Sequence, residues 1–437
     1  MGKKHSNRIT ARLRLILEPP GRRPATSRPR STRCHTRGVR IEDYGDEIDR
    51  RTKGLEPELI SVRRDVHRHP ELARAEHRTT ALLVERLRAA GLDPRVLPRG
   101  TGLVCDIIGS DGGPPTVGFR GDIDALPLDD LTATDYRSRN PGVCHACGHD
   151  AHTAIALGTA LVLAELAQDG LLTRSVRVIF QPAEEIIPGG ALDVLAAGEI
   201  AGLERVFAFH CEPGLQVGRI GLRVGAITAG ADGIKVTLTG PGGHTARPHL
   251  TADLIYALGF LVTELPGAMS RLTDPRAGLS VVWGQIHAGS AANAIPATGF
   301  VEGTVRCLDA EVWAMAHDRV PEVIRSLLTP FGVEVRIDSH TSVPPCVNDA
   351  AAIDLARAVA VDVLGPAGVA ASQQSLGAED FSWIASAVPS ALLRLGVGRP
   401  ESLETGDLHQ GGFDLDESSI SVGVRIFCRL AVGDGDR

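Results

Sequence analysis

The chain reads as an α/β protein in which a mostly parallel sheet, covered by helices, is interrupted by a smaller α+β segment. Three observations predict this. Short apolar runs bounded by Gly or Pro alternate with helical patterns from about residue 55 to residue 226. Near residue 227 the pattern shifts to strands that alternate apolar and polar residues, as a half-solvated sheet does. After about residue 342 the helix and strand alternation resumes. With 437 residues and 43% hydrophobic composition the chain can bury more than one core, and at 4% aromatics its packing must rest on Ala, Val, Leu and Ile.

The elements follow in order. EPELISVRRDVHRHPEL predicts an amphipathic helix ending near Pro70, and HRTTALLVERLRAAGL a second closed by Gly91. GLVCDIIG and TVGFRGDID are too short and too apolar for helices and read as buried strands. AHTAIALGTALVLAELAQ is a long apolar helix, SVRVIFQPAEE a strand running into a loop, and ERVFAFHCE another strand. ADGIKVTLTG, helix TADLIYALGFLVTEL, strands GLSVVWGQIHAG and GFVEGTVRCLD, helix EVWAMAHDRVPEVIRSLL and strand VEVRIDSH make the α+β segment. DAAAIDLARAVAVDVLG, AEDFSWIAS, VPSALLRLG and ESSISVGVRIFCRLAVG complete the first pattern. The expected division is a leader at 1–45, a larger domain built from 46–226 and 342–437, and an insert at 227–341.

Charge is uneven. Residues 1–40 carry twelve Lys or Arg against the single acid Glu18, so the remaining body is near −18 while the whole chain is −7. A body this acidic is a poor nucleic-acid binder. The leader lacks the apolar run of a secretory signal, since Arg14 and Pro19 interrupt it, and is expected to be disordered. No stretch reaches the roughly 18–20 uncharged apolar residues of a membrane span. Eight cysteines without framework spacing fit a reducing cytoplasm better than a disulfide scaffold.

Five residues could together make a divalent-metal site: Cys147 and His149 in CHACGHD, Glu185 in QPAEE, His210 in FAFHCE and His409 in LHQGGFD. Thiolate, imidazole and carboxylate suit a borderline ion such as Zn²⁺, and the adjacent acid Glu184 supplies a proton carrier for hydrolysis. Asp122, Glu184, Glu185 and His210 fall at carboxyl ends of expected strands, where α/β sheets build sites. Singly, each has a plainer reading: Cys147 as a small buried residue, the Glu pair as a solvated loop, His210 as a core histidine, His409 as a surface one. His145 and His152 read as supporting residues or helix N-terminal ones.

Taken in order, HRHPEL, GFRGDIDALP, HACGHDAHT, QPAEE, GPGGHTARPH, ANAIP, GTVR, GAEDFS and the LH of LHQGGFD resemble the M20 metallopeptidase superfamily, in its amidohydrolase branch of hippurate hydrolases, N-acyl-amino-acid deacylases and indole-acetyl-amino-acid hydrolases. The similarity covers roughly residues 55 to 430. It implies a zinc-peptidase-like catalytic domain and an insert that acts as lid and homodimer contact. It further implies that Cys147, His149, Glu185, His210 and His409 hold two divalent ions per subunit (Zn, Mn, Co or Ni), with Glu184 as general base and acid. Most of the superfamily has His-x-Asp where this chain has Asp122-Ile123-Asp124; in this branch Cys147 and His149 compensate, leaving Asp122 and Asp124 as orienting acids. His244 would stabilise an oxyanion, and Asn293 and Arg306 would bind a substrate carboxylate, often in the neighbouring subunit's site. Without the resemblance these three read as a structural histidine, a turn Asn and a surface Arg. The chain departs from the family at His409-Gln410-Gly411-Gly412, where His-Ser-Pro is usual, and in its basic leader.

The expected enzyme cleaves the amide of an N-acyl amino acid (hippurate- or N-acetyl-like) using a metal-activated water. It works in the cytoplasm on a small molecule, without a nucleic-acid or membrane partner. A dipeptidase or carboxypeptidase on the same scaffold is the nearest alternative, and a non-catalytic metal-dependent amino-acid binder the alternative from another class.

Overall fold

The computed structural model describes residues 41–399 and 406–433. The basic leader expected to be disordered lies, over residues 1–40, outside the described residues. Asp46–Arg437 form one compact unit, and it is this unit that carries the site.

Its larger sheet has eight strands in the spatial order Arg95–Val96, Leu103–Ile107, Val176–Gln181, Val117–Asp122, Arg205–Gln216, Ser390–Gly398, Ile220–Leu222, Val369–Ala371. The four central strands, Val176–Gln181 through Ser390–Gly398, run parallel. Antiparallel pairs enter on both sides of them: Leu103–Ile107 against Val176–Gln181, and Ile220–Leu222 against Ser390–Gly398. The parallel expectation therefore holds at the centre, where both faces are buried, and gives way toward the edges. Val117–Asp122 is buried at all six positions, its two charged residues Arg120 and Asp122 paired with each other.

Helix His149–Gln168 lies in the main core with Ser418–Gly433 and the helix Ile41–Arg68. By length and composition it would pass for a membrane span, but Asp150 and Glu165 interrupt its apolar run, in keeping with the sequence reading, and 83% of its most apolar window is buried inside the fold. Gly158 sits in its middle because a side chain there would meet Leu59 and Val424 at 2.6 and 2.7 Å. The helix gives up about 1 kcal/mol of propensity at that glycine and gains close helix packing. The first helix begins before residue 55 and runs through Pro57, which is exposed, so the carbonyl that loses its partner can face water.

A second sheet, ordered Ser280–Ala288, Thr298–Cys307, Gly230–Thr239, Glu334–Val343, is wholly antiparallel. Helices Leu254–Leu272 and Ala310–Leu328 cover it around a core of its own that includes Val236, Leu258, Leu261, Val301 and Ile324. Asp253 and Asp309 cap these helices by accepting backbone N–H groups of Tyr256 and of Glu311 and Val312. The first helix of the pair continues past the expected end at Leu265, through Pro266, to Leu272.

Candidate metal centre

The five sequence-selected residues come from four separate stretches, and the fold brings them together. Cys147 and His149 flank Gly148, whose φ of 85° turns the chain into the helix. A side chain at Gly148 would meet Cys211 Sγ at 2.6 Å, so the loop can pack this closely only with glycine there. Glu185 follows the strand Val176–Gln181, and His210 lies within Arg205–Gln216. His409 reaches in from the C-terminal loop in a left-handed conformation (φ 62°), its N–H donating to Ala146 O at 2.8 Å.

Ligand-capable atoms of Cys147, His149 and Glu185 lie within 4.8 Å of one another. His210 Nε2 is 3.8 Å from Cys147 Sγ. His409 Nε2 is 3.6 Å from Glu185 Oε1. Glu184 Oε2 stands 3.8 Å from His149 Nε2, so the second acid of the pair faces the same space.

Neighbouring groups aim these side chains. His149 Nδ1 donates to Asp124 O at 3.0 Å, turning Nε2 toward the cluster. His210 Nδ1 donates to Cys211 O at 2.7 Å with the same effect. Asp124 Oδ2 accepts the Glu185 N–H at 2.9 Å. Asp122 Oδ1 accepts from His152 Nδ1 at 2.6 Å, and His152 Nε2 in turn accepts the Cys211 N–H at 2.9 Å, beside His210. His152 thus braces the strand that carries His210. His145 is buried, and neither of its ring nitrogens has a hydrogen-bond partner among the described residues.

The electrostatics are those of a buried, charge-dense site. Burial pushes Glu184 well above the usual carboxylate range, with Glu379 and Glu185 adding to it. Burial also raises Glu185 and the Cys147 thiol, and holds His210 well below the usual imidazole value. Burial opposes protonation of His149, but the Asp122 charge together with Cys147 and Asp124 outweighs it and raises that imidazole well above its ordinary value.

These residues fit divalent ions. His149 Nε2 and Glu185 Oε1 are buried with no hydrogen-bond partner among the described residues, a costly arrangement unless another group satisfies them. A thiol, imidazoles and a carboxylate converging on such unsatisfied atoms are the donor set of a borderline metal, which would displace the protons burial now favours.

His244 lies in the small antiparallel sheet Gly243–His244 with Ala294–Ile295, and Asn293 immediately precedes its second strand, where the Thr245 N–H donates to Asn293 O at 3.3 Å. Among the described residues, no hydrogen bond or ion pair joins either to the cluster. The Ala246 N–H donates to His244 Nδ1 at 3.0 Å, leaving Nε2 as the protonated nitrogen of the neutral ring. Arg306 donates from Nη1 to Leu376 O at 2.5 Å, tying the second sheet to the loop before Glu379.

Sequence reasoning passed over the residue at the centre of the support. Arg120 is fully buried and donates to Asp122 (2.5 Å), Gln181 (3.0 Å), Glu379 (3.1 Å) and Asp380 (3.2 Å). Asp380 also accepts from Gln181 Nε2 and the Ala191 N–H, while burial, opposed by Arg120, pushes its pKa up to about 7. The available signal was an arginine two residues before Asp122 on a strand expected to be buried, which must find carboxylates once water is excluded.

Comparison with known proteins decides the family, since the model of Peptidase family M20/M25/M40 matches residues 118–432. The chain belongs to that family. Over 370 residues it is 36% identical to an N-acetyl-L-cysteine deacetylase of Bacillus subtilis (strain 168), covering 84% of this chain and 85% of the relative. It is 42% identical over 432 residues to a Rhodococcus jostii (strain RHA1) protein that carries the name glutamate--cysteine ligase 2-3, covering 96% of this chain but spanning only 53% of that protein's length. A Bacillus subtilis crystal structure described as a dinuclear metal binding peptidase from the M20 family superposes with a TM-score of 0.76 at 31% identity, covering 87% of this chain and 99% of that one. As an M20 family member the chain is a metal-dependent amide hydrolase by class, with an α/β fold that matches M20 structures.

Proposed function

We propose that this chain hydrolyses the amide bond of N-acyl amino acids, N-acetyl- and hippurate-like compounds among them, to a carboxylate and a free amino acid. One observation carries the reading: His149 Nε2 and Glu185 Oε1 stand buried and unsatisfied 3.8 Å apart, with Glu184 facing the same space. Cys147, His149, Glu185, His210 and His409 would hold two divalent ions. Such ions, when bound, supply Lewis acidity that lowers the pKa of a water and polarises a carbonyl.

The protein's own groups do the rest. Glu184 accepts the proton of the attacking water and delivers it to the departing nitrogen. Its burial beside Glu379 and Glu185 raises its proton affinity, which suits an acid that must hold a proton between two transfers. His244, with Nε2 as donor, would stabilise the tetrahedral oxyanion. Asn293 and Arg306 would receive the substrate carboxylate, Arg306 exchanging its bond to the Leu376 carbonyl for a charge-assisted pair. In this reading the segment 227–341 is a lid and homodimer contact that delivers these three residues to a site, and the enzyme works in the cytoplasm. The deacetylase name of the Bacillus relative supports acetyl-amino acids as the first substrates to try.

The test is a substrate panel on metal-loaded protein: N-acetyl amino acids, hippurate and dipeptides in parallel, with released amino acid measured. Cleavage of N-acyl amino acids in preference to dipeptides is expected. Preference for dipeptides would move the assignment to a dipeptidase, and binding without turnover to a non-catalytic binder.

A further inference from the structure

Glu76 lies outside every group discussed above, yet its carboxylate is completely buried. It occupies the N-cap position of helix His77–Ala89 but makes no side-chain cap bond there. Glu71 does that work instead, its two oxygens accepting the N–H groups of Arg78 and Thr79, each at 2.8 Å. Relieved of capping, Glu76 Oε1 reaches across the chain and accepts the N–H of Ala183 at 2.7 Å.

Ala183 is an unusual partner. It is one of three described non-glycine residues with positive φ (55°), and it immediately precedes Glu184 and Glu185. Left-handed backbone at a residue with a Cβ is disfavoured and persists only where surrounding bonds impose it. Here they do so from both sides of the residue: Glu76 holds its N–H, and the Gly190 N–H donates to its carbonyl at 2.9 Å. Asp124 then takes the N–H of Glu185 at 2.9 Å. The two acids of the site are therefore presented by a strained turn whose first bond comes from Glu76. A carboxylate buried at this cost would be poorly used merely to cap a helix that another glutamate already caps.

We propose that Glu76 is a positioning residue for the reaction: by holding Ala183 in the left-handed region it sets the direction of Glu184 and Glu185. The inference rests on the reading of Glu184 as proton carrier. It requires an acceptor at the reach of a glutamate and does not require the charge. Glu76→Gln keeps acceptor and reach, Glu76→Asp keeps the charge but shortens the reach, and Glu76→Ala removes both.

The test compares these three full-length variants by steady-state kinetics on metal-loaded protein and by amide hydrogen exchange of the segment 181–191. Glu76→Ala and Glu76→Asp should lower kcat by roughly 10- to 100-fold, the scale of an ångström-level misplacement, with KM little changed. Their exchange in 181–191 should rise while the helix His149–Gln168 stays protected. Glu76→Gln should match wild type in both readouts. Wild-type exchange and turnover in Glu76→Asp, or failure of Glu76→Gln to retain both, would overturn the proposal. Glu184→Gln run alongside separates the two ideas. If that variant keeps its turnover, the proton-carrier reading fails, while the exchange data still report whether Glu76 orders the turn.

Discussion

His149 Nε2 and Glu185 Oε1 face each other across 3.8 Å, both buried and neither hydrogen-bonded among the described residues. A folded protein rarely keeps such a pair without a third party, and four of the following predictions concern that space and what holds it open.

Glu184→Gln should preserve fold and metal content while lowering turnover by roughly 10²- to 10⁴-fold, the usual share of general acid and base catalysis. Steady-state kinetics with metal analysis of the same preparation checks it, and near-normal hydrolysis would remove Glu184 from the mechanism.

Chelation should abolish activity, and adding back a divalent ion should restore it together with a rise in Tm. An ion at a hundred times its Kd stabilises the protein by about 2.7 kcal/mol, so the rise is readily measured. His149→Ala should lose most of this metal-dependent shift; an undiminished shift would place the ion elsewhere.

Gly148→Ala combines a left-handed φ with a clash against Cys211, and should destabilise the protein by about 1–3 kcal/mol. Because Gly148 sets the spacing of Cys147 and His149, metal stoichiometry should fall as well. Equilibrium unfolding and metal analysis together distinguish this from a general loss of stability.

Arg120→Met leaves Asp122, Glu379 and Asp380 buried without their shared cation. Removing one partner of a buried ion network costs on the order of 3–5 kcal/mol, readable as a lower urea midpoint. A midpoint equal to wild type would show that the three acids are satisfied without Arg120.

Away from the site, Asp106 lies between Arg177 and Arg95. Burial raises its pKa, but the bonds and charge of Arg177 outweigh this and hold it below the ordinary carboxylate value. A depressed pKa contributes stability that is fully present above the unfolded value near ~4 and is lost as pH falls through the folded value. Because solvent screens this half-buried group, Asp106→Asn should cost about 1 kcal/mol or less at neutral pH, a difference that closes as pH drops below about 4. A difference independent of pH would assign the loss to packing.

Much of this was legible before any coordinates. Apolar runs of strand length and the Ala- and Leu-rich helix are set by neighbours a few positions away, so spacing alone exposes them. Cys147, His149, Glu185, His210 and His409 were legible for a different reason: residue chemistry and motif order restrict which side chains could share an ion, and the structure brings all five together. The antiparallel pairs near the sheet edges were not legible, because strand direction is set by where the chain returns and not by the composition of the strand.

From the sequence alone come the α/β class, the candidate ligands and the acid beside them. The bonds that aim those ligands come from elsewhere: Arg120 reaching Glu379 and Asp380, His152 bracing the strand of His210, Glu76 holding Ala183 in a left-handed turn, Arg306 tying the second sheet to Leu376. Each joins residues distant along the chain, and in each a buried polar group must find a partner once water is excluded. Which partner it meets depends on how helices and sheets close around it, a matter of geometry that no local pattern of residues encodes.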